Sequence, residues 1–291
     1  MYDVIIIGKG PAGISAALYT ARANLRTLVI SKDWGNLRKA EKVQNYYGAD
    51  TESTGMDILE NGVSQAKEFG VVFAEDEAVG LTAFDGIEVT GLSGKYKGKA
   101  LILAMGAPKR KPPFDNIEKF EGNGISYCGA CDGFFYKDRK IAVVGFNEFM
   151  LHEVMELSEI TNDITILTNG MELDIADKHK AGMVRFNIDK EEIKGFYGND
   201  TLEGVEFKSE RREAYDGVFI AYGSASATDM AMKSGLLIEK GSISVDCDMR
   251  TNIPEIFAAG DCTGGFKQVA VAVGEGAIAA KSAIEYLRSL G

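Results

Sequence analysis

Val4–Ile7 is an unbroken β-branched run, and Gly8-Lys9-Gly10-Pro11-Ala12-Gly13 follows it directly. Such a run reads as a buried parallel strand. The glycines have the G-x-G-x-x-G spacing of a dinucleotide-binding turn. Gly8 permits the tight turn, Gly10 lets backbone approach a pyrophosphate, and Gly13 lets the next helix pack closely on the strand. Ile14–Ala23 reads as that helix, with free N–H groups facing the phosphates. Leu28–Ile30 is the next strand. This β-α-β opening implies an α/β fold around a parallel sheet.

Residues 141–150 begin a second such unit and then depart from it. Lys140–Gly145 is an apolar strand, Glu148–Ile160 a helix and Ile164–Leu167 the next strand. Counting from Gly145, the second and third glycine positions hold Asn147 and Met150. Asn147 puts a side chain where backbone should meet phosphate, and Met150 is expected to hold the helix off the strand. Glu148 adds negative charge beside the pyrophosphate position. Residues 141–240 hold 19 acidic and 10 basic residues, most of the excess behind the net charge of -11.

That charge argues against nucleic acid or an anionic membrane as the main partner. No apolar run is long enough to span a bilayer. The N-terminus enters a strand with no basic region ahead of it, so no signal peptide is expected, and a cytoplasmic location is. The four cysteines are Cys128, Cys131, Cys247 and Cys262. Only Cys128 and Cys131 are close, which is no secreted disulfide framework. Cys128-Gly-Ala-Cys131 allows two sulfurs to close a small ring and favours one thiolate. Asp132 follows at once, where it can give or take the proton of thiol exchange. A zinc site would need the distant Cys247 and Cys262, so no metal is expected.

Near the C-terminus, Ile256–Ala259 reads as a short buried strand ending in Gly260-Asp261. An Asp there can accept bonds from the hydroxyls of a ribityl chain. Gln268–Ala280 follows as a small-residue helix. At the end of the second strand, an acidic residue for ribose hydroxyls is absent; Ser31 and Lys32 stand there instead.

The Gly8–Gly13 turn, Ala104-Met-Gly106-Ala, Cys128–Asp132 and Ala258-Ala-Gly260-Asp261, in this order, resemble the low-molecular-weight thioredoxin reductases. Asn45-Tyr-Tyr-Gly48 resembles their flavin-side loop. The resemblance implies two Rossmann-like, three-layer ββα domains, the second inserted into the first. FAD would be held by residues 1–113 and 243–291, around a central domain of residues 114–242 that carries the dithiol. It implies Gly8, Gly10, Pro11, Ala12 and Gly13 at the pyrophosphate. Ser31, Lys32, Asn36, Leu37 and Asn45 would follow along the cofactor, then Ala104 and Gly106. Gly260, Asp261, Lys267, Gln268 and Val269 would complete the site. Cys131 would be the sulfur beside the flavin and Cys128 the one that attacks the partner's disulfide. A homodimer is also implied.

In that family a His-Arg-Arg cluster after the second central strand binds the 2′-phosphate of NADPH. Here Thr168-Asn169-Gly170 stands in its place. The pattern resembles the ferredoxin-dependent flavin thioredoxin reductases, in which reduced ferredoxin feeds FAD and the dithiol reduces thioredoxin. Ferredoxins are acidic, so Lys109-Arg110-Lys111 and Lys137, Arg139 and Lys140 are candidate docking charges. A diflavin-linked disulfide oxidoreductase and an FAD-dependent dithiol oxidase share the same frame. A non-enzymatic flavin-binding protein is the alternative from another class.

Overall fold

Alternate residues of the first strand enter different cores. Ile5 and Ile7 pack on one face of the sheet, Val4 and Ile6 on the other. That two-sided burial is why the run is apolar without alternation. The computed structural model describes residues 1–83, 86–107, 112–223 and 227–291, the side chain of Thr228 excepted.

β1 (Tyr2–Ile7) runs parallel to β2 (Thr27–Ile30), with α1 (Pro11–Arg22) between them. α2 (Gly55–Glu68) starts at a capping box, in which Thr54 and Asp57 each accept the other's backbone N–H. β3 (Val72–Ala74) adds parallel to β2. β4 (Ala78–Thr82), β5 (Ile87–Gly91) and β6 (Lys95–Leu103) form an antiparallel meander, and β6 also pairs parallel with β1.

The chain next forms α3 (Ile117–Phe120), β7 (Ile125–Ser126), α4 (Gly129–Asp132) and β8 (Ile141–Val144). α5 (Glu148–Leu157), β9 (Ile164–Leu167), α6 (Asp177–Met183) and β10 (Asn187–Asp189) follow. β11 (Ile193–Gly198), β12 (Leu202–Phe207) and β13 (Arg212–Ala214) make an antiparallel layer. β14 (Gly217–Ile220) completes a parallel sheet of order β10-β9-β8-β14-β7. The last stretch holds α7 (Ala227–Lys233), the pair β15 (Ile238–Glu239) and β16 (Ser242–Ile243), β17 (Ile256–Ala258) and α8 (Val269–Ser289). β17 lies parallel to β6.

Two units result: Met1–Lys109 with Ser226–Gly291, and Arg110–Ala225. The boundaries expected from the sequence, residues 113 and 243, lie close to where these units divide, after 109 and before 226. Ala227, Met230, Ala231 and Leu236 are buried with Ile7, Leu81, Leu103 and Ile256, so α7 belongs to the first core. The expected helix from Gln268 to Ala280 runs on to Ser289, and the one from Glu148 stops at Leu157. The seven- and five-stranded sheets, with their parallel strands and helices, match the Rossmann-type α/β architecture expected from the sequence.

Candidate active site

In the first unit the glycine turn is built by backbone contact. Gly8 has φ +110°, and a Cβ on it would lie 2.2 Å from the Ala104 carbonyl oxygen. A Cβ on Gly13 would lie 1.9 Å from the Gly8 oxygen. Both positions therefore exclude a side chain. Gly10 is different: nothing lies within 4 Å of its Cβ position, so the space beside it is open. Gly10 caps α1 without a side-chain bond, and Pro11 opens the helix. The first-turn N–H groups are thus left for a ligand rather than a cap.

α8 closes on this turn through small residues. A Cβ on Gly276 would stand 2.1 Å from the Ala12 oxygen, and Ser15 Oγ donates to the Val273 carbonyl at 2.7 Å. Gly260 has φ +82° and sits against Ala12. Its N–H donates to Glu275 Oε2 at 2.7 Å, which sets the turn ahead of Asp261. Thr263 Oγ1 reaches the same carboxylate oxygen at 3.3 Å. Asn45 Nδ2 donates to Gln268 Oε1 at 2.8 Å, at the N-cap of α8. Val269 opens that helix and Lys267 is exposed. Ala104 donates its N–H to Ile7 O at 2.9 Å, and Gly106, with φ +78°, has open space beside it.

At the end of β2, Ser31 Oγ donates to the Asp33 carbonyl at 2.8 Å. Lys32 Nζ binds Glu77 Oε2 at 2.7 Å. Asn36 and Leu37 begin a short 3-10 turn, and Gly55 packs on the Leu37 carbonyl.

The second unit carries the dithiol. Cys128 and Cys131 are joined as a disulfide. Cys128 is 4% exposed, whereas Cys131 is exposed. Cys128 is the N-cap of α4, and its Sγ accepts the Cys131 N–H at 3.0 Å. Ser126 Oγ accepts the Cys128 N–H at 3.1 Å and donates to Asp132 Oδ2 at 2.6 Å. One hydroxyl therefore ties the acid to the cysteine turn. The Gly129 N–H donates to Glu153 Oε2 at 2.9 Å. Two glycines let this turn lie on α5 and the residues after it: a Cβ on Gly129 would meet Leu157 Cγ at 3.2 Å, and one on Gly133 would meet Ile160 Cδ1 at 2.7 Å. Burial, then the charges of Asp132 and Asp216, pushes the Tyr136 phenol up. Phe134 and Phe135 are each 76% exposed and meet edge to face.

The second turn is filled by the chain itself. Asn147 Oδ1 accepts the Met150 N–H at 3.3 Å, capping α5, and its Nδ2 donates to the Gly223 carbonyl. Glu148 accepts the Ala176 N–H at 2.6 Å and meets His179 Nδ1 at 3.0 Å. Asp174 donates its N–H to Phe146 O at 2.7 Å, and Phe146 packs edge to face on Tyr222. Met150 is fully buried, and Gly145 gives it room, since a Cβ there would stand 2.6 Å from Met150 Cβ. Asn169 bonds Tyr222 and Ile193 rather than standing free. Of the candidate docking charges, Arg139 pairs with Asp216 at 3.5 Å and Lys140 with Glu213. Lys109–Lys111 lie outside the described residues.

A family model described as pyridine nucleotide-disulphide oxidoreductase matches residues 2–276. A thioredoxin reductase of Listeria innocua serovar 6a is 36% identical over 312 aligned residues, covering 100% of this chain and 95% of that protein. One of Peptoclostridium litorale is 34% identical, covering 100% and 98%. The chain belongs to the thioredoxin reductases of this family. Among solved structures, the atypical thioredoxin reductase TRi from Desulfovibrio vulgaris Hildenborough matches at TM-score 0.95 and 39% identity, over 99% of both chains. A ferredoxin-flavin thioredoxin reductase from Clostridium acetobutylicum matches at TM-score 0.74 and 29% identity, over 99% of this chain and 98% of that one.

This reductase is a flavin-dependent disulfide oxidoreductase, and FAD is its cofactor. The first unit fits that group: the open space beside Gly10 and the side-chain-free start of α1 suit a pyrophosphate. Glu275, Ser126, Glu153, Phe134 and Phe135 were not singled out from the sequence. For Glu275 and Glu153 the only available signal was an acidic residue within an apolar helix pattern. Among the described residues, no helix is long and apolar enough to cross a membrane, and no group of three or more His, Cys, Asp or Glu is placed to hold a metal ion.

Proposed function

We propose that this reductase takes electrons from reduced ferredoxin, not NADPH, and passes them through Cys128 and Cys131 to thioredoxin. The observation that carries this is the filled second turn. Asn147 serves as a helix cap where a backbone approach to phosphate is needed, and Glu148 holds residues 176 and 179 across the start of α5. A pyrophosphate there would meet a carboxylate and would have to displace these bonds. Likeness to the ferredoxin-flavin thioredoxin reductase of Clostridium acetobutylicum supports the same donor.

FAD, when bound, accepts electrons singly and releases them in pairs. Cys131 is the exposed residue of the oxidised pair, which suits it to take the electron pair that FAD would supply as the S–S bond breaks. Cys128 then leaves as a thiolate, steadied by the Cys131 N–H on its sulfur. Asp132, held by Ser126, handles the thiol proton. The Cys128 thiolate attacks the disulfide of thioredoxin, releasing one of its thiols. Cys131 then displaces the partner, restoring the Cys128–Cys131 bond as the second thiol leaves. Exposed Phe134 and Phe135 offer an apolar patch next to this exchange. A homodimer in the cytoplasm remains the expected form of the protein.

An anaerobic titration tests the donor. Flavin absorbance should bleach rapidly with reduced ferredoxin and stay unbleached with NADPH or NADH. Rapid bleaching by NADPH overturns the proposal. Bleaching by small dithiols followed by oxygen uptake favours a dithiol oxidase instead.

A further inference from the structure

Lys9 stands between the first two glycines of the N-terminal turn and is 9% exposed. Its Nζ lies 4.2 Å from the centre of the Trp34 ring and 4.0 Å from Glu75 Oε1. Among the described residues its ammonium has no other partner. Neither contact is a hydrogen bond: the carboxylate is beyond N–H···O range, and a ring face only attracts the cation. A long side chain is therefore ordered and largely removed from water with its N–H groups unused, at a cost in entropy and solvation. A ligand that accepts those N–H groups would offset that cost.

Strand order says where such a ligand would sit. β2 lies between β1 and β3. Lys9 belongs to the turn after β1, and Glu75 follows β3 directly. The Lys9–Glu75 pair therefore spans the carboxyl end of β2, where this fold seats the adenosine ribose of a dinucleotide. The usual ribose carboxylate is absent there: Ser31 donates to the Asp33 carbonyl, and Lys32 binds Glu77. Trp34, in the segment after β2, packs on Ile14 of α1 and on Leu59 and Val63 of α2. Its indole is thus a fixed floor beneath the ammonium. The Glu75 side chain is 82% exposed, so its carboxylate is open to a ligand.

We propose that Lys9 and Glu75 bind the adenosine ribose of FAD as a donor–acceptor pair, replacing the carboxylate missing from the end of β2. One ribose hydroxyl donates to Glu75, and its neighbour accepts from Lys9. Adjacent hydroxyls can give a proton to one group and accept one from another, so a pair of this kind reads the diol rather than either hydroxyl alone. Trp34 is the positioning residue: it holds the ammonium over the end of β2 and makes no contact of its own with the sugar.

Full-length holoenzyme is diluted, and FAD release is followed by the rise in flavin fluorescence. Lys9→Met and Glu75→Leu should each release FAD about tenfold faster than the wild type. A merely structural role for Lys9 could speed release too, so the second measurement alters the ligand instead. ADP, 2′-deoxy-ADP and 3′-deoxy-ADP are titrated into flavin-stripped full-length protein. Binding is read from the emission of Trp34, the single tryptophan of the chain. The wild type should bind ADP about tenfold more tightly than at least one of the deoxy forms. Lys9→Met and Glu75→Leu should bind ADP more weakly and lose that preference. Unchanged FAD release in both variants overturns the proposal. Equal wild-type affinity for the three nucleotides also overturns it, and needs no variant to fold. A preference that survives both substitutions means that the ribose is read elsewhere, and overturns it as well. No readout involves an electron donor or thioredoxin, so failure of the donor assignment would show in the bleaching titration and leave these results intact.

Discussion

Asn45 and Gln268 are 223 positions apart and share a 2.8 Å hydrogen bond between their side-chain amides. The bond ties the loop after the first 3-10 turn to the entry of α8. Both residues are expected at the flavin. Gln268→Ala should cost about 1 kcal/mol of that tie. FAD Kd should rise about fivefold on reconstitution of the apoprotein. An unchanged Kd would separate this bond from cofactor binding.

Gly13 and Gly10 should fail in different ways. A methyl on Gly13 collides with the Gly8 oxygen, whereas one on Gly10 meets nothing in the chain. Gly13→Ala should destabilise the first unit by about 3 kcal/mol, seen as a lowered denaturant midpoint. Gly10→Ala should fold with a normal midpoint and purify without flavin. Full flavin content in the latter would mean that backbone does not approach the pyrophosphate there.

Glu275 holds the turn before Asp261. Glu275→Ala leaves the Gly260 N–H without its acceptor, at a cost of about 1–3 kcal/mol. Lower thermal stability and faster loss of FAD are expected together. Loss of stability alone would remove Asp261 from the cofactor site.

Phe134→Ser and Phe135→Ser replace side chains that pack little on their own unit. Stability should change by less than about 0.5 kcal/mol. Thioredoxin reduction driven by chemically reduced enzyme should lose about tenfold in kcat/KM, while reduction of a small aromatic disulfide is retained. Equal loss on both substrates would point to a damaged dithiol instead.

Full burial pushes the Cys262 thiol up to about 12, against the opposing backbone hydrogen bonds of Ala259, Met105 and its own residue, and its Sγ also donates to Leu103 O and Ala259 O. Native oxidised protein should therefore take one alkyl group, at exposed Cys247. In the unfolded chain a thiol ionises near about 8.5. Because the folded value is higher, the protonated thiol contributes its full stability below that pH and loses it as pH rises towards the folded value. The denaturant midpoint should hold to about pH 8 and fall steadily above it. Cys262→Ala should flatten that fall.

The opening β-α-β was legible because Gly8 and Gly13 have no steric substitute and the apolar run is buried on both faces. Cys128, Cys131 and Asp132 were legible because their chemistry depends on adjacency. The return of the chain was not: α7 is short, and its Ala227, Met230 and Ala231 become core only through contact with distant strands. Glu153 and Glu275 were hidden for a related reason. Each bonds a backbone N–H elsewhere in the chain, and backbone partners leave no trace in side-chain spacing. Met150 was expected to hold α5 away from β8; the absent Cβ of Gly145 gives it space instead.

α5 meets the segment after β9 at its first residue and the cysteine turn at its middle. In an enzyme that loads a nucleotide at such a helix start, occupancy and thiol chemistry share a lever. Here Glu148 bonds the Ala176 N–H and the His179 ring across that start. On the donor proposed above, the far part of the helix has no nucleotide to answer to, and the timing of dithiol turnover is left to the partner proteins.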